Sequence, residues 1–290
     1  MLLRSLQFVP GNNQRLINSA KNSIADALIF DLEDSVQPEK NKILARDVIK
    51  ENLNDTKFDK YTKLIRLNEI STEFFLQDVI ELTKAPIDGF LLSKTNTADD
   101  VKYLDYLLSS IERQRKISKK IFIIPILESA LSIVNINEIS ESSSRIIALG
   151  YGSEDFVSDL QGVRDFHTNV SIDYARKLVP IVARARDLEA IDAAYIHTND
   201  LEKLNIHANE GKVLGYSGMW VLHPKQNEIV NAVYSPTEKE YEDAKEFLTL
   251  YEEAKRQNKG VAIVKGKFVG PPLVTKANEI IRKIEIIKNK

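Results

Sequence analysis

Residues 28–47 read LIFDLEDSVQPEKNKILARD and contain one complete strand-and-helix pattern. A short apolar run leads into a group of acidic residues, and a segment with helical periodicity follows over residues 38–52. Four charged residues of that segment, Glu39, Lys40, Lys42 and Asp47, are expected on its solvated face. A continuous apolar run of this length is typical of a strand buried on both faces of a parallel sheet. The stretch therefore predicts one unit of a fold in which parallel strands alternate with helices.

The same pattern recurs along most of the chain. Eight short apolar runs predict strands, at residues 6–9, 27–32, 63–67, 89–93, 121–127, 145–149, 190–195 and 219–222. The segments between them predict amphipathic helices, at residues 14–23, 38–52, 72–83, 98–115, 129–140, 172–187 and 200–214. Eight such units in about 225 residues predict an α/β fold of the TIM (β/α)8 barrel type. The alternative is an open doubly wound sheet, although no G-x-G-x-x-G motif follows the first strand.

The last part of the chain follows a different pattern. It predicts a long helix that begins at Pro236 after Ser235 as N-cap and ends before Gly260, then a hairpin around Lys265 and Gly266, and a helix from residue 272. We therefore predict a barrel domain at residues 1–235 and a C-terminal helical and hairpin extension at residues 236–290. The extension is expected to cover an active-site mouth, either of its own barrel or of a neighbouring subunit.

The composition of the 290-residue chain excludes several classes of protein. With a net charge of −2, it has no overall field that would favour nucleic acid or an anionic membrane surface. It has no cysteine, which excludes disulfides, thiolate metal ligands and a cysteine nucleophile. Its longest apolar run, residues 121–127, is far shorter than the ~20 residues of a membrane helix, and the N-terminus lacks a signal-peptide pattern. We expect a soluble cytoplasmic protein.

Two carboxylates stand at the ends of neighbouring predicted strands, where the active site of a TIM barrel lies. Glu128 follows the fifth strand and Asp155 follows the sixth. Two carboxylates, completed by water and substrate oxygens, match the octahedral coordination of Mg²⁺. The alternative is structural: Glu128 caps the next helix, and Asp155 lies in a first helical turn, where carboxylates favour the positive end of the dipole.

Arg66 lies in the apolar strand of KLIRLN, where an arginine is costly unless it is paired. Its planar guanidinium suits a substrate carboxylate or an enolate oxygen, and the alternative is a structural salt bridge to Glu33 or Asp34. Glu33 and Asp34 stand where the second strand leaves the barrel, so they are candidates to hold the arginine or a metal-bound water, or to act as base. Asp31 lies earlier in the strand and is expected to be a buried structural partner, with Arg4 as the candidate.

The segment FVPGNNQRL, residues 8–16, turns from the first strand into a helix. Backbone amides at a helix start, with Arg15 one turn in, predict a phosphate seat that includes Pro10 and Gly11. The alternative is a plain Pro-Gly turn with Asn12 as the helix N-cap.

Six segments in order resemble the citrate lyase β-subunit family, which groups with malyl-CoA and citramalyl-CoA lyases in the HpcH/HpaI aldolase superfamily. They are RSLQFVPGN, ALIFDLEDSV, KLIRLN, IIPILESALSIVN, ALGYGSEDFVSDLQG and VLHPKQNEIVNAVYSPTEKE. The resemblance runs from Arg4 to about Lys276, which is nearly the whole chain.

The resemblance implies a TIM barrel, assembled as a homotrimer or hexamer, that uses Mg²⁺ to cleave or form a carbon–carbon bond. The implied substrate is a 3-hydroxy-acyl thioester such as malyl-, citramalyl- or citryl-CoA or a carrier-protein thioester, and the partner product is a 2-oxo acid. By position it implies metal ligands at Glu128 and Asp155, a substrate-binding arginine at Arg66, an acidic pair at Glu33 and Asp34, and contact with the CoA or carrier arm at Pro10, Gly11 and Arg15.

The chain departs from the family pattern at three places. Asn13 stands where an arginine often follows PGN, and Met219 and Trp220 follow Gly218 where Gly-Lys is common before HP. Gly270 occupies the position of an aspartate that the lyases use as acid or base over a neighbouring active site. Two alternatives therefore stay open: a metal-dependent aldolase for free 2-oxo acids, and a binding or regulatory subunit with weakened catalysis.

Overall fold

A computed structural model describes residues 1–256, 262–264, 267–269 and 271–288 of the chain. Eight parallel strands form a closed barrel in chain order. They are β1 (Ser5–Pro10), β2 (Ala27–Asp31), β3 (Thr62–Arg66), β4 (Gly89–Leu92), β5 (Phe122–Leu127), β6 (Ala148–Tyr151), β7 (Glu189–Asp192) and β8 (Gly218–Val221). Because β1 pairs with both β2 and β8, the sheet has no open edge. The predicted TIM barrel is confirmed, and the open-sheet alternative is wrong.

Helices follow the strands as the periodicity predicts. They are α1 (Gln14–Ala20), α2 (Asn41–Asn52), α3 (Phe75–Leu82), α4 (Ala98–Arg115), α5 (Ala130–Val134), α6 (Ile136–Glu141), α7 (Ser153–Asp159), α8 (Asp173–Ala185), α9 (Leu201–Leu214) and α10 (Asn227–Tyr234). The one helix predicted over residues 129–140 is two short helices that meet at Asn135. Helix α10 was not predicted, and α7 was expected only in the structural alternative for Asp155.

The barrel interior is filled by apolar side chains from all eight strands. They include Leu6, Ile29, Leu64, Leu91, Ile124, Ala148, Ile191 and Trp220. The indole Nε1 of Trp220 donates a hydrogen bond to the Tyr151 carbonyl at 2.9 Å. A Cβ atom on Gly150 would lie 2.2 Å from the Trp220 ring, so a glycine is needed inside β6. The strand predicted at residues 145–149 lies instead at residues 148–151, because Gly150 continues the strand rather than ending it.

The chain divides into two compact units: one consists of Met1 and residues 3–231, and the other of Leu2 and residues 232–290. Within the second unit lie α11 (Glu238–Arg256), β9 (Ala262–Val264), β10 (Lys267–Val269) and α12 (Pro271–Lys288). The two strands pair in antiparallel fashion, with Phe268 opposite Ile263. The predicted turn residues Lys265 and Gly266, and also Gly270, lie outside the described residues. The predicted domain boundary and the covering role of the extension stay predictions.

Helices long and apolar enough to cross a lipid bilayer are absent from the described part of the chain.

Candidate active site

The last residues of β2 and β3 lie side by side and carry opposite charges. Asp31 and Arg66 are register partners, and their side chains form a two-pronged pair, Nε to Oδ1 at 2.7 Å and Nη2 to Oδ2 at 2.6 Å. Burial acts to raise the pKa of Asp31, but the charge and hydrogen bonds of Arg66 outweigh it and hold that pKa below its ordinary value. The predicted pairing of Asp31 with Arg4 is wrong, since Arg4 Nε instead pairs with Asp26 at 2.8 Å.

The remaining guanidinium nitrogen of Arg66 faces the acidic loop after β2. Its Nη1 lies 2.9 Å from Glu33 Oε2 and 3.2 Å from Asp34 Oδ2, and the Phe8 ring packs under the guanidinium at 4.9 Å. The salt bridges that formed the structural alternative are therefore present. The Asp34 side chain is 61% exposed, so a substrate carboxylate can replace it at Arg66. Substrate binding by Arg66 stays a prediction.

Glu33 is a buried carboxylate that lacks full hydrogen bonding. Among the described residues, neither of its side-chain oxygens accepts a well-aligned hydrogen bond, and its contacts are ionic: Arg66 Nη1 lies 2.9 Å from Oε2 and Lys94 Nζ lies 3.8 Å from Oε1. Burial raises the pKa of Glu33 to about 7, because repulsion from Asp34 and Asp31 offsets the lowering by Arg66. A group with this pKa can take up and return a proton near neutral pH.

Glu128, directly after β5, and Asp155, in the helix that follows β6, lie within hydrogen-bonding reach of each other. Glu128 directly follows β5 and is buried, and its Oε1 accepts a hydrogen bond from the Lys94 amide at 2.6 Å. Burial, reinforced by the nearby Glu33, raises the pKa of Glu128 to about 8. Burial also raises the pKa of Asp155. Burial is the main cause of both shifts, and the neighbouring carboxylates Glu33 and Asp34 add to them.

The structural alternatives for these two carboxylates have different outcomes. Ser129, and not Glu128, caps α5, because the Ser129 side chain accepts a hydrogen bond from the Ser132 amide. Asp155 does lie in the first turn of α7, as the alternative expected. That position does not exclude metal binding, because it aims the carboxylate at Glu128.

The carboxylate cluster fits a divalent cation. In the residues that the structure describes, no three His, Asp or Glu side chains are arranged to hold a metal ion on their own. Mg²⁺ commonly takes only one or two protein carboxylates and completes its octahedron with water and substrate oxygens. Glu128 and Asp155 line a cavity of about 390 Å³. The carboxylate of Glu33, whose oxygens accept no well-aligned hydrogen bond among the described residues, acts electrostatically on Glu128. Glu128 and Asp155 can therefore hold Mg²⁺ beside a pocket of substrate size.

Lys94, the second residue after β4, links the two halves of this cluster. Its φ of 47° is unusual for a residue with a side chain. The turn lets the amide bind Glu128 while the ammonium group stays near Glu33. Burial acts to lower the pKa of Lys94, but the charges of Glu33 and Glu69 outweigh it and raise that pKa. The side chain therefore stays protonated and positively charged near neutral pH.

Lys42 binds the backbone of the loop that follows β2 and carries Glu33. It was expected on the solvated face of its helix, and that prediction is wrong because the side chain is buried. Its Nζ donates hydrogen bonds to the carbonyls of Leu32 at 3.0 Å and Glu33 at 2.9 Å, and to the side chain of Asn68. Three hydrogen bonds offset much of the cost of burying the ammonium group, and they fix the backbone that carries Glu33.

The loop after β1 has the predicted turn but a different cap. Pro10 ends β1, and the Gly11 amide donates to the Asp31 carbonyl at 2.9 Å. Asn13, rather than Asn12, is the N-cap of α1, since its side chain accepts a hydrogen bond from the Leu16 amide. Arg15 is exposed on the helix surface. The phosphate seat at Pro10, Gly11 and Arg15 stays a prediction.

Comparison with known proteins adds an independent finding. Residues 4–224 match the model of the HpcH/HpaI aldolase/citrate lyase family. The citrate lyase subunit beta of Leuconostoc mesenteroides subsp. cremoris is 33% identical over 97% of this chain and 93% of its own length. A (3S)-malyl-CoA thioesterase of Cereibacter sphaeroides (strain ATCC 17025 / ATH 2.4.3) is 30% identical over 98% of this chain and 95% of its own length. The crystal structure of CitE from Mycobacterium tuberculosis, in complex with magnesium, acetoacetate and coenzyme A, has a TM-score of 0.76 at 22% identity, covers 97% of each chain, and shows the same fold.

Proposed function

Because the chain belongs to the HpcH/HpaI aldolase/citrate lyase family of carbon–carbon lyases, we propose that it acts with Mg²⁺ on a 3-hydroxy-acyl thioester. Acyl-CoA or oxo-acid substrates are common to the family and its relatives, and the proposal selects malyl-, citramalyl- or citryl-thioesters of CoA or of a carrier protein. The observation that carries it is the convergence of Glu33, Arg66, Glu128 and Asp155 at one end of the barrel. The CoA or carrier arm is proposed to lie along Pro10, Gly11 and Arg15.

Different charged residues would bind the metal ion and stabilise the negative charge of the reacting groups. When bound by Glu128 and Asp155, Mg²⁺ supplies Lewis-acid polarisation of the oxo-acid half of the substrate. Arg66 is held in one orientation by Asp31, so its charge is already in place to offset the negative charge that develops in the transition state. Lys94 adds a second fixed cation at the same end of the barrel.

Glu33 is proposed as the base. Its carboxylate removes the proton from the 3-hydroxyl group, the bond between C2 and C3 breaks, and the electron pair moves to the thioester carbonyl. The products are a 2-oxo acid and an enolate, whose C2 atom takes a proton back to give the acetyl thioester. Asp34, the exposed neighbour at Arg66, is the second member of the acidic pair. Gly270 stands where the resembling lyases have an aspartate, so the proposal places the proton transfer on Glu33.

The proposal is tested by incubating purified protein and Mg²⁺ with malyl-CoA and citramalyl-CoA, and by separating the products chromatographically. Release of acetyl-CoA with glyoxylate or pyruvate, abolished by a chelator, is the expected result. Free CoA with intact malate would instead indicate a thioesterase. Turnover of free 2-oxo acids without any thioester reaction would favour the aldolase alternative. No turnover of any of these substrates would favour a binding or regulatory subunit.

We expect the affinity for Mg²⁺ to rise with pH. The pKa values of Glu33 and Glu128 are raised from 4.5 to about 7 and about 8, so between these limits the folded protein holds more protons than the unfolded chain. The stability of the metal-free protein therefore falls as pH rises through that window. Mg²⁺ binds the ionised carboxylates, so its affinity increases by up to about tenfold per pH unit for each proton displaced. Isothermal titration at pH 6, 7 and 8 measures this, and an affinity that stays constant would contradict it.

We expect Gly152→Ala to weaken Mg²⁺ binding about tenfold while the protein stays folded, because the new methyl group displaces a ligand. A Cβ atom at Gly152 would lie 2.6 Å from Glu128 Oε2 and 2.7 Å from Glu128 Cβ, so the whole Glu128 side chain must shift and some stability is lost with it. Gly162→Ala is the matched control, since the nearest atom to its Cβ is 3.6 Å away. Titration calorimetry and thermal denaturation of both variants give the comparison. Equal affinities would show that Glu128 does not need its present position.

A further inference from the structure

Asp159 lies at the end of α7, the helix that carries the candidate metal ligand Asp155. The two aspartates are four residues apart in this helix, so they lie on the same face. Both line the cavity of about 390 Å³ beside Glu128. The helix therefore presents two carboxylates to the cavity, of which the proposed function uses one.

Asp159 binds the segment of chain that carries the other candidate ligand, Glu128. Its Oδ2 atom accepts a hydrogen bond from the Ala130 amide at 2.7 Å. Ala130 is the first residue of α5, so its amide has no acceptor within its own helix. Because the acceptor is a carboxylate, the hydrogen bond is charge-assisted and stronger than one between neutral groups. Asp159 is thereby connected to Glu128 through only two residues of backbone.

α7 is held against the Glu128 segment at both of its ends. At its start, the Gly152 amide donates a hydrogen bond at 3.0 Å to the carbonyl of the residue before Glu128. At its end, Asp159 accepts from the Ala130 amide. Asp155 lies between these two contacts on the helix, and Glu128 lies between their partners on the other segment. The two contacts together fix the distance between the Glu128 and Asp155 carboxylates.

The Glu128 segment is also fixed on its other side. Glu128 Oε1 accepts a hydrogen bond from the Lys94 amide at 2.6 Å, and the Ser129 hydroxyl donates one to Asn96 Oδ1. Both partners belong to the loop after β4. Loss of the contact at the end of α7 would therefore displace that helix and its Asp155 rather than Glu128.

The distance between two carboxylate ligands matters more for Mg²⁺ than for Ca²⁺. Mg²⁺ requires near-ideal octahedral geometry with oxygens at about 2.0 to 2.1 Å, whereas Ca²⁺ accepts irregular geometry with oxygens at about 2.3 to 2.6 Å. Two carboxylates that are free to move relative to each other therefore lose affinity for Mg²⁺ before they lose affinity for Ca²⁺.

We propose that Asp159 is a positioning residue that fixes the distance between Glu128 and Asp155 and thereby sets the preference of the site for Mg²⁺ over Ca²⁺. This inference rests on the Mg²⁺ site of the proposed function. Asp159 acts through its hydrogen bond to Ala130 and is not a third ligand. In the part of the chain that the structure describes, no three acidic or histidine side chains are arranged around one metal position.

Three variants separate the hydrogen bond of Asp159 from its charge. Asp159→Ala removes both. Asp159→Asn removes only the charge, because the amide oxygen can still accept from the Ala130 amide. Ser158→Ala is the matched control, since Ser158 is the adjacent residue in the cavity lining.

The test is isothermal titration of the metal-free full chain and of each variant with Mg²⁺ and, separately, with Ca²⁺. Asp159→Ala is expected to bind Mg²⁺ about tenfold more weakly, as variants of residues that orient a metal ligand do. Its affinity for Ca²⁺ should stay within about threefold of the parent value. Asp159→Asn and Ser158→Ala should bind both ions within about threefold of the parent, since an exposed charge contributes little. Because the Asp159 side chain is exposed, the melting temperature of Asp159→Ala in chelator should fall by less than about 4 °C.

Three results would overturn the proposal. Unchanged Mg²⁺ affinity in Asp159→Ala would show that the hydrogen bond to Ala130 does not position the ligands. Equal losses of Mg²⁺ and Ca²⁺ affinity in Asp159→Ala, repeated in Asp159→Asn, would show that Asp159 acts only through its charge. Absence of Mg²⁺ binding by the parent protein would overturn the metal site of the proposed function as well, so failure of that function is distinguishable from failure of the positioning role alone.

Discussion

Glu128→Gln is expected to lower Mg²⁺-dependent turnover by about 10³-fold or more, since several kcal/mol of electrostatic stabilisation are lost and each 1.36 kcal/mol is about tenfold. The amide keeps the size of the side chain and can still accept the hydrogen bond from the Lys94 amide. It cannot carry the negative charge that a divalent cation needs. Mg²⁺ affinity is expected to fall about 100-fold with it, which titration calorimetry measures directly.

The stability of this variant should move in the opposite direction. Because burial raises the pKa of Glu128 to about 8, its ionised form destabilises the metal-free fold above that pH. Glu128→Gln removes that charge, so its melting temperature in chelator at pH 9 should be at least as high as that of the parent protein. Glu154→Gln is the matched control: this carboxylate adjoins Asp155 but pairs with Arg164, and its Mg²⁺ affinity should stay within about threefold. A lower melting temperature for Glu128→Gln would mean that the carboxylate has a structural role.

Arg66→Met is expected to destabilise the protein by about 3 to 5 kcal/mol, because it leaves the buried Asp31 as an unpaired charge. In thermal denaturation this corresponds to a loss of about 10 °C. Lyase turnover should be lost as well if Arg66 also binds substrate. The exposed Arg184→Met is the control and should change stability by less than about 0.5 kcal/mol.

The double variant Asp31→Asn/Arg66→Met distinguishes the two interpretations of Arg66. It removes the buried charge together with its partner, so much of the lost stability should return. If turnover returns with stability, Arg66 acts only through structure. If stability returns and turnover does not, Arg66 has a role in the reaction. A single variant as stable as the parent would contradict the argument that the pair with Asp31 supports the fold.

The fold was predictable because most strands are short, predominantly apolar runs, and segments with helical periodicity separate them. Local patterns record burial, and burial follows directly from a two-sided parallel sheet. The exception, β6, shows the limit. Gly150 has the local signature of a turn, and only the Trp220 ring, 70 residues away in sequence, explains why a glycine continues the strand.

The candidate site was predictable as a set of residues but not as a set of contacts. The rule that chemistry lies at strand ends selected Glu33, Arg66, Glu128 and Asp155. Which carboxylate holds Arg66 depends on the register between β2 and β3, and no local pattern specifies that register. The burial of Lys42 was not predicted for a similar reason. Its three oxygen partners belong to backbone and side chains that only the fold brings together.

The closure of the barrel determines when this site can be completed during protein synthesis. β1 can pair with its second neighbouring strand only after β8, residues 218–221, has been synthesised. At about 5 to 20 residues per second, the N-terminal strand waits about 10 to 40 s on the ribosome with one edge unpaired. An unpaired strand edge is a template for wrong pairing with another chain. A chaperone that covers the edge of β1 during this interval would protect the nascent chain from such pairing.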